Sequence, residues 1–194
     1  MRIALTGSIA CGKTLFVQFL RELGENVLDA DDVVRELESP GGRAVPQIEA
    51  TFGKEVVAPE GGIDRRHLAS LVFGDGEETA TRRRRLEGIL HPLVRERLRA
   101  FDGICVVPLL YESGWACDFD KVIAIGSPRE IQIARMRSTR GYTAAEAESR
   151  LAAQIPAEEK LRRADYAVVN DSTPEVLRLK AAECHTWLET VRRK

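Results

Sequence analysis

Eight residues near the start of the chain combine glycines, a lysine and a hydroxyl in the spacing of a phosphate-binding loop. The segment GSIACGKT, residues 7–14, fits the pattern G-x-x-x-x-G-K-[ST] in full. Its two glycines allow the backbone to wrap around phosphate oxygens with N–H groups pointing inward, and a following helix directs its positive end at them. Lys13 would reach the β and γ phosphates, and the Thr14 hydroxyl would ligate Mg²⁺. The predicted nucleotide-binding residues are Gly7, Ser8, Ile9, Ala10, Cys11, Gly12, Lys13 and Thr14.

Two residues inside this phosphate loop carry side chains that affect its conformation and reactivity. Ala10 requires a backbone conformation that an L-residue can adopt. Cys11 lies near Lys13 and a helix amino end, both of which lower a thiol pKa, so we expect Cys11 to react with alkylating reagents and to be protected by Mg-ATP. The chain has no guanine-reading N/T-K-x-D motif, so the pattern favours ATP over GTP.

Two carboxylates follow the second apolar segment of the chain, in the sequence NVLDADDVV. Asp29 and Asp31 would lie at the carboxyl end of a strand, where ligands bind in an open α/β sheet. Phosphoryl transfer to a hydroxyl needs a carboxylate that orients the acceptor and takes its proton. Aspartate is also a preferred helix N-cap, but one aspartate is enough for a cap. We therefore assign Asp31 to the chemistry and leave the role of Asp29 open.

The elements that must position these residues alternate between strands and helices. Apolar runs without polar alternation, typical of a parallel sheet covered on both faces, predict strands at 2–6, 26–29, 104–110, 121–125 and 166–170. Helical patterns occupy 13–23, 31–38, a long region from about 43 to 101, 128–139, 143–163 and 174–193. This order predicts a three-layer α/β fold with a parallel sheet of about five strands. Residues 59–103 interrupt the alternation as a helical insertion, and a short, basic segment near 138–154 forms a second one.

Composition limits the remaining classes of function. The 194 residues carry 29 basic and 30 acidic side chains, a formal net charge of −1, so no overall field attracts nucleic acid. No stretch approaches the roughly 20 apolar residues of a membrane span. The four cysteines are far apart, without a C-x-x-C pair, and are typical of free thiols in a reducing cytosol. These features predict a cytoplasmic protein with a single folding unit that binds neither nucleic acid nor membrane.

Further short motifs follow the phosphate loop along the chain: DAD at 29–31, HPLV at 91–94, VPLLYE at 107–112, and AD followed by N at 164, 165 and 170. Together with the loop they resemble the dephospho-CoA kinase family in order and spacing, from residue 2 to about 172. The resemblance implies a P-loop kinase fold and transfer of the ATP γ-phosphoryl group to the ribose 3′-hydroxyl of dephospho-CoA, the final step of coenzyme A synthesis. It divides the single chain into a nucleotide-binding core (1–58, 104–136 and 155–194), a helical acceptor lobe (59–103) and a lid (137–154).

The same resemblance implies roles for individual residues. The catalytic group comprises Asp31 as general base, Lys13 and the lid residue Arg140, and Arg137 and Arg140 would contact the ATP phosphates. Asn170 would contact adenine, although Ser172 stands where the family often has glycine. The implied acceptor-binding residues are Asp29, Asp31, Arg66, His91, Leu109 and Glu112.

Two of these acceptor residues have competing interpretations, and so does the function. The HP pair predicts that His91 starts a helix with proline at its first position, either as a structural residue or as a ligand contact. Glu112 could hold the acceptor or a Mg²⁺-bound water, or cap the next segment. The alternative functions are a kinase for another small molecule or nucleotide and, in a different class, a regulatory ATP-binding module. The oligomeric state stays open.

Overall fold

A computed structural model describes residues 1–74 and 76–193, and it contains a five-stranded parallel sheet in the order β2-β3-β1-β4-β5. The strands are β1 (Ile3–Gly7), β2 (Val27–Asp29), β3 (Ile104–Val106), β4 (Lys121–Gly126) and β5 (Tyr166–Val169). The fold prediction is confirmed. The third strand differs most from its apolar run, because it ends at Val106 and not at residue 110. Val107 N–H still donates to Leu5 O at 2.9 Å, but Pro108 has no N–H to continue the ladder.

Nine α-helices connect and cover the strands within the described residues. They are α1 (Lys13–Glu22), α2 (Ala30–Glu38), α3 (Val45–Phe52), α4 (Arg65–Val72), α5 (Glu77–Arg99), α6 (Arg129–Arg140), α7 (Ala144–Ala152), α8 (Ala157–Arg163) and α9 (Pro174–Arg192). None of these helices has both the length and the apolar character that crossing a membrane requires.

The chain separates into two compact units, and the sheet core lies in the one made of residues 1–28 and the chain from Phe101 onward. Large side chains such as Ile3, Leu5, Ile123 and Ile125 form a cluster with the buried faces of α1 and α9. The intervening positions of the strands are small: a Cβ at Gly126 would lie 2.9 Å from the side chain of Leu161 in α8. The strands thus direct large side chains toward α1 and α9 and small ones toward α8, so that helices cover both faces of the sheet in three layers.

The second compact unit, Asp29–Ala100, is helical, and it corrects two predicted boundaries. The long helical region from 43 to 101 is three separate helices, α3, α4 and α5. His91 does not start a helix, because His91 and Pro92 lie inside the 23-residue α5. An internal proline costs about 3 kcal/mol, but Leu90, Val94 and Leu98 are buried at four-residue spacing on both sides of it, and this burial offsets the cost. The predicted acceptor lobe, 59–103, stays a prediction.

The predicted helix 143–163 is also two helices, α7 and α8. Pro156 lies between them and cannot donate an i to i−4 hydrogen bond. Thr143 and Glu146 form a capping box at the start of α7, which gives this short helix its own amino end. Gln154 N–H still donates to Leu151 O at 3.1 Å, whereas the Gln154 side chain and the Ile155 N–H bind other parts of the chain.

Candidate active site

The phosphate loop joins β1 to α1 in the strand–loop–helix context that its sequence pattern requires. Gly12 is the residue before α1 and has a left-handed conformation, with φ 88° and ψ 15°. A Cβ there would lie 2.2 Å from Asn170 Nδ2, and a Cβ at Gly7 would lie 2.5 Å from Ile125 O. Close packing therefore requires glycine at both positions, and the left-handed backbone conformation requires it at Gly12 as well.

Ala10 is the one non-glycine residue with positive φ in the described ranges 1–74 and 76–193, at φ 57°. This value lies in the small left-handed region that L-residues can enter. The conformation costs roughly 1–2 kcal/mol for a residue with a Cβ. The loop therefore stores a modest backbone strain that its neighbours must hold.

Two glutamines hold the backbone of Ile9, the residue before the strained alanine. Gln132 Nε2 in α6 donates to Ile9 O at 2.5 Å, and Ile9 N–H donates to Gln154 Oε1 at 3.0 Å. Sequence analysis did not identify either glutamine. Gln132, Arg135 and Met136 lie on one face of α6, at the i, i+3 and i+4 spacing that could have indicated a shared contact surface.

Arg135, Ser127 and Asn170 hold the next two carbonyl groups of the loop. Arg135 Nη1 donates to Ala10 O at 3.3 Å and to Ser127 Oγ at 2.9 Å. Asn170 Nδ2 donates to Cys11 O at 2.9 Å, and Ser127 Oγ donates to the Asn170 carbonyl at 2.6 Å. The buried side chain of Asn170 thus fixes the phosphate loop, and its predicted contact with adenine stays a prediction.

Cys11 differs from the expectation of a reactive thiol. The residue is 1% exposed and belongs to the apolar core. Burial raises the pKa of the Cys11 thiol because the thiolate would lose its hydration, and the nearby charges of Lys13 and Lys160 oppose this change only in part. The expectation of a lowered Cys11 pKa is therefore wrong, because proximity in sequence did not show that the side chain lies in the apolar core.

Lys13 and Thr14 occupy the first turn of α1, where the pattern places them. Lys13 Nζ donates to Gly7 O at 3.1 Å, so the ammonium group folds back over the loop. Thr14 is exposed, and its hydroxyl is the predicted magnesium ligand. No cluster of three or more histidine, cysteine or acidic residues that could hold a metal occurs in the described part of the chain. The assignment of Thr14 as the magnesium ligand stays a prediction.

The loop also borders open space on the side of α6–α8. A cavity of about 240 Å³ is lined there by Ser8, Gln132, Leu151, Gln154 and Ile155 among other residues. Ser8 Oγ is buried without a hydrogen-bond partner in the described residues. An unsatisfied buried hydroxyl beside a glycine cradle fits a loop that binds a polar ligand.

The two aspartates at the start of α2 have different positions. Asp29 is the N-cap residue, and its Oδ1 accepts a hydrogen bond from Asp31 N–H at 2.9 Å. Asp31 lies in the first helical turn and is exposed. Capping is thus performed by Asp29, which leaves the carboxylate of Asp31 without a capping role.

The segment after β3 carries the predicted acceptor residues Leu109 and Glu112. Leu109 is 47% exposed, although it is apolar. Glu112 Oε1 lies 2.8 Å from Nζ of the buried Lys160 and accepts a hydrogen bond from Ile155 N–H at 3.0 Å. Sequence analysis did not foresee Lys160, because a lysine among charged neighbours in a short helix is typical of a solvated surface.

The remaining predicted residues lie on helices. Arg66 is exposed in the first turn of α4, where Asp64 is the N-cap and accepts from the Arg66 N–H at 3.0 Å. His91 is partly buried in α5. Arg137 and Arg140 are exposed in the last turn of α6. Their contacts with ATP or acceptor stay predictions.

Comparison with known proteins gives a consistent result. The family model described as dephospho-CoA kinase matches residues 1–175. The dephospho-CoA kinase of Anaeromyxobacter dehalogenans is 43% identical over 189 residues, covering 92% of this chain and 88% of the relative. A solved dephospho-CoA kinase from Campylobacter jejuni is 26% identical with a TM-score of 0.71, covering 98% of both chains. Shikimate kinase from Acinetobacter baumannii, at 16% identity, shares the fold alone, with a TM-score of 0.57 over 99% of this chain and 94% of its own.

Proposed function

The chain belongs to the dephospho-CoA kinase family, and we propose that its reaction, transfer of the ATP γ-phosphoryl group to the ribose 3′-hydroxyl of dephospho-CoA, depends on Lys13, Asp31 and Arg140. The observation that carries this proposal is the phosphate loop itself. Its complete motif stands between β1 and α1, and its glycines are required by contacts as close as 2.2 Å. The family model matches residues 1–175, which include this loop. A glycine-rich loop of this kind fits a nucleoside triphosphate as the phosphoryl donor.

The donor side consists of the loop N–H groups, Lys13 and Thr14. Lys13 exchanges its contact with Gly7 O for the β and γ phosphate oxygens, where its charge stabilises the negative charge that shifts toward the bridging oxygen. The Thr14 hydroxyl would hold a Mg²⁺ ion, which would supply positive charge to the phosphates of the nucleotide. Arg137 and Arg140, at the end of α6, contact the phosphates when the lid segment closes and water is excluded.

The acceptor side depends on Asp31. Its carboxylate orients the 3′-hydroxyl and accepts the hydroxyl proton as the new oxygen–phosphorus bond forms. At the same time the bond between the γ-phosphorus and the bridging oxygen breaks, and ADP is released. Asp29 supports this geometry by capping α2. The remaining acceptor contacts are assigned to Arg66, His91, Leu109 and Glu112, and the adenine of ATP to Asn170. The four cysteines form no disulfides, which fits the reducing cytosol as the place of action.

The test is a panel of acceptors assayed for ADP release with ATP and Mg²⁺. We expect dephospho-CoA to stimulate ADP formation far above the rate with water, AMP, uridine or shikimate. The matched control is Lys13→Ala, which removes the charge on the phosphates and is expected to be inactive with every acceptor. Equal or faster turnover of a nucleoside monophosphate would contradict the acceptor assignment, while ATP hydrolysis unaffected by any acceptor would favour a regulatory module.

A further inference from the structure

Lys160 is a fully buried lysine outside the motifs of the phosphate loop. It lies in α8 with 0% exposure, and its ammonium group contacts two groups of one segment. Nζ lies 2.8 Å from Glu112 Oε1 and donates to Pro108 O at 3.2 Å. We define residues 108–112, the chain directly after β3, as the acceptor segment. Both partners of the Lys160 ammonium therefore belong to the acceptor segment.

The acceptor segment is also bound to the central strand and to the chain that leaves α7. Thr6 Oγ1, in β1 next to the phosphate loop, donates to the same Pro108 carbonyl at 3.1 Å. Ile155 N–H, directly after Gln154, donates to Glu112 Oε1 at 3.0 Å. Gln154 in turn accepts from Ile9 N–H of the phosphate loop. A short chain of hydrogen bonds thus connects the phosphate loop, the carboxyl end of the predicted lid and the acceptor segment.

A buried ion pair is a poor device for stability alone. Removing two charges from water offsets most of their attraction, and well-packed apolar residues of similar volume are often equally stable. The geometry of an ion pair is specific, however, because its partners must meet at hydrogen-bond distance. Both contacts of Glu112 fall on Oε1 and its side chain is 19% exposed, so the carboxylate is anchored from the protein side.

We infer that Lys160 is a positioning residue for phosphoryl transfer, which holds the acceptor segment in register with the phosphate loop through Pro108 O and Glu112. This inference rests on the proposed function, because Leu109 and Glu112 are assigned there to the acceptor. Lys160 itself contacts neither nucleotide nor acceptor. It fixes the backbone of the acceptor segment and the carboxylate of Glu112, which is assigned to the acceptor, at the sheet edge where β3 and β1 end side by side.

The experiment compares Lys160→Met with the double variant Lys160→Met/Glu112→Leu. In the single variant we expect kcat/KM for dephospho-CoA to fall about 10- to 100-fold, since small displacements of substrate-positioning groups have effects of this size. The Kd for ATP should stay within about threefold of wild type, because the loop and Lys13 are unchanged. The single variant should melt about 3–12 °C lower, because it removes a charge-assisted hydrogen bond from Glu112, which keeps contact with water. Lys121→Met, which removes the partly exposed pair with Asp165, is the matched control for loss of a lysine.

The double variant separates positioning from stability. Two apolar residues of similar volume should restore the melting temperature. The value of kcat/KM for dephospho-CoA should stay low, because the segment has lost both its directional anchor and the Glu112 carboxylate assigned to the acceptor. A double variant that regains both properties would overturn the inference, and so would a folded Lys160→Met enzyme with wild-type kcat/KM. A loss of ATP affinity in Lys160→Met as large as the loss of kcat/KM for dephospho-CoA would overturn it as well.

A second readout keeps this inference distinct from the proposed function. Wild-type turnover of dephospho-CoA is measured first, and its absence refutes the proposed function alone. Hydrogen exchange at the Ile155 amide, measured without substrates, then tests the anchor: we expect exchange at least about tenfold faster in Lys160→Met, because its acceptor Glu112 is no longer held. Unchanged exchange at Ile155 would refute the anchoring role of Lys160 whatever the enzyme phosphorylates.

Discussion

Replacing Asp31 with asparagine tests its proposed role as general base without disturbing the helix cap, because Asp29 is the residue that caps α2. Asp29 caps α2 through a 2.9 Å hydrogen bond from Asp31 N–H, and this bond uses the backbone of Asp31 and not its carboxylate. Asp31→Asn therefore preserves the cap. It keeps the size of the side chain and one hydrogen-bonding oxygen, and it removes the charge and basicity that proton transfer requires.

The expected effects on rate and stability differ in size. Loss of a positioned base costs about 10²–10⁴ in kcat, equivalent to roughly 3–5 kcal/mol of barrier. The cost in stability is only the favourable interaction of one exposed first-turn charge with the helix dipole, about 0.3–1 kcal/mol. For a chain of this length that corresponds to roughly 1–4 °C in Tm. The variant should thus be folded, bind ATP normally and be nearly inactive.

Asp29→Asn is the matched control, since it removes the same charge two residues earlier and asparagine is an equally good N-cap. We expect a similar small change in Tm and a smaller loss of kcat than in Asp31→Asn. The assay is steady-state kcat with dephospho-CoA, together with thermal melting and ATP affinity for both variants. A folded Asp31→Asn enzyme with kcat within about threefold of wild type, well under the lower bound for a base, would refute the reasoning and direct attention to Asp29 and Glu112.

Three further outcomes are expected. Lys13→Ala should lower kcat by at least about 10²-fold, because it removes a positive charge beside the phosphate oxygens where negative charge develops. Single-turnover kinetics would measure this loss, and circular dichroism would check that the variant is folded. Arg140→Ala should reduce kcat about tenfold or more with a smaller change in KM for dephospho-CoA, because the proposed closure of the lid brings this exposed arginine to the ATP phosphates. An unchanged kcat would make the lid assignment wrong. In the folded protein near pH 8, iodoacetamide should modify the exposed Cys117 first and Cys11 little, with or without Mg-ATP. The reason is that burial raises the pKa of Cys11, so that little of its thiol is ionised at this pH. Peptide mapping that finds Cys11 modified as fast as Cys117 would contradict the burial argument.

The fold could be predicted from the sequence because its signals are local. Five apolar runs and their intervening helical patterns are enough to indicate a parallel sheet with helices on both faces, and GSIACGKT identifies the strand–loop–helix junction. The division between Asp29 and Asp31 follows from local rules as well, since a cap lies directly before its helix. These features depend on hydrogen bonds and periodicities that span only a few residues.

Long-range packing decided what the sequence could not show. Pro92 was expected near a helix start, yet it lies within α5 because burial of Leu90 and Val94 on both sides outweighs its local preference. Cys11 appeared activated by its sequence neighbours, yet the core surrounds its thiol and raises its pKa.

The same is true of the residues that hold the site together. Ile9 and Gln154 are 145 positions apart, and Lys160 is 48 positions from Glu112, the residue with which it forms a buried ion pair. No periodicity links such residues, because their proximity exists only after strands and helices have assembled. The sequence by itself identified the loop and the two aspartates, whose residue types and spacing predict phosphoryl transfer. The tertiary structure decided which polar groups hold them in place, since a buried glutamine or lysine acquires its role only from the partners that folding brings within hydrogen-bond distance.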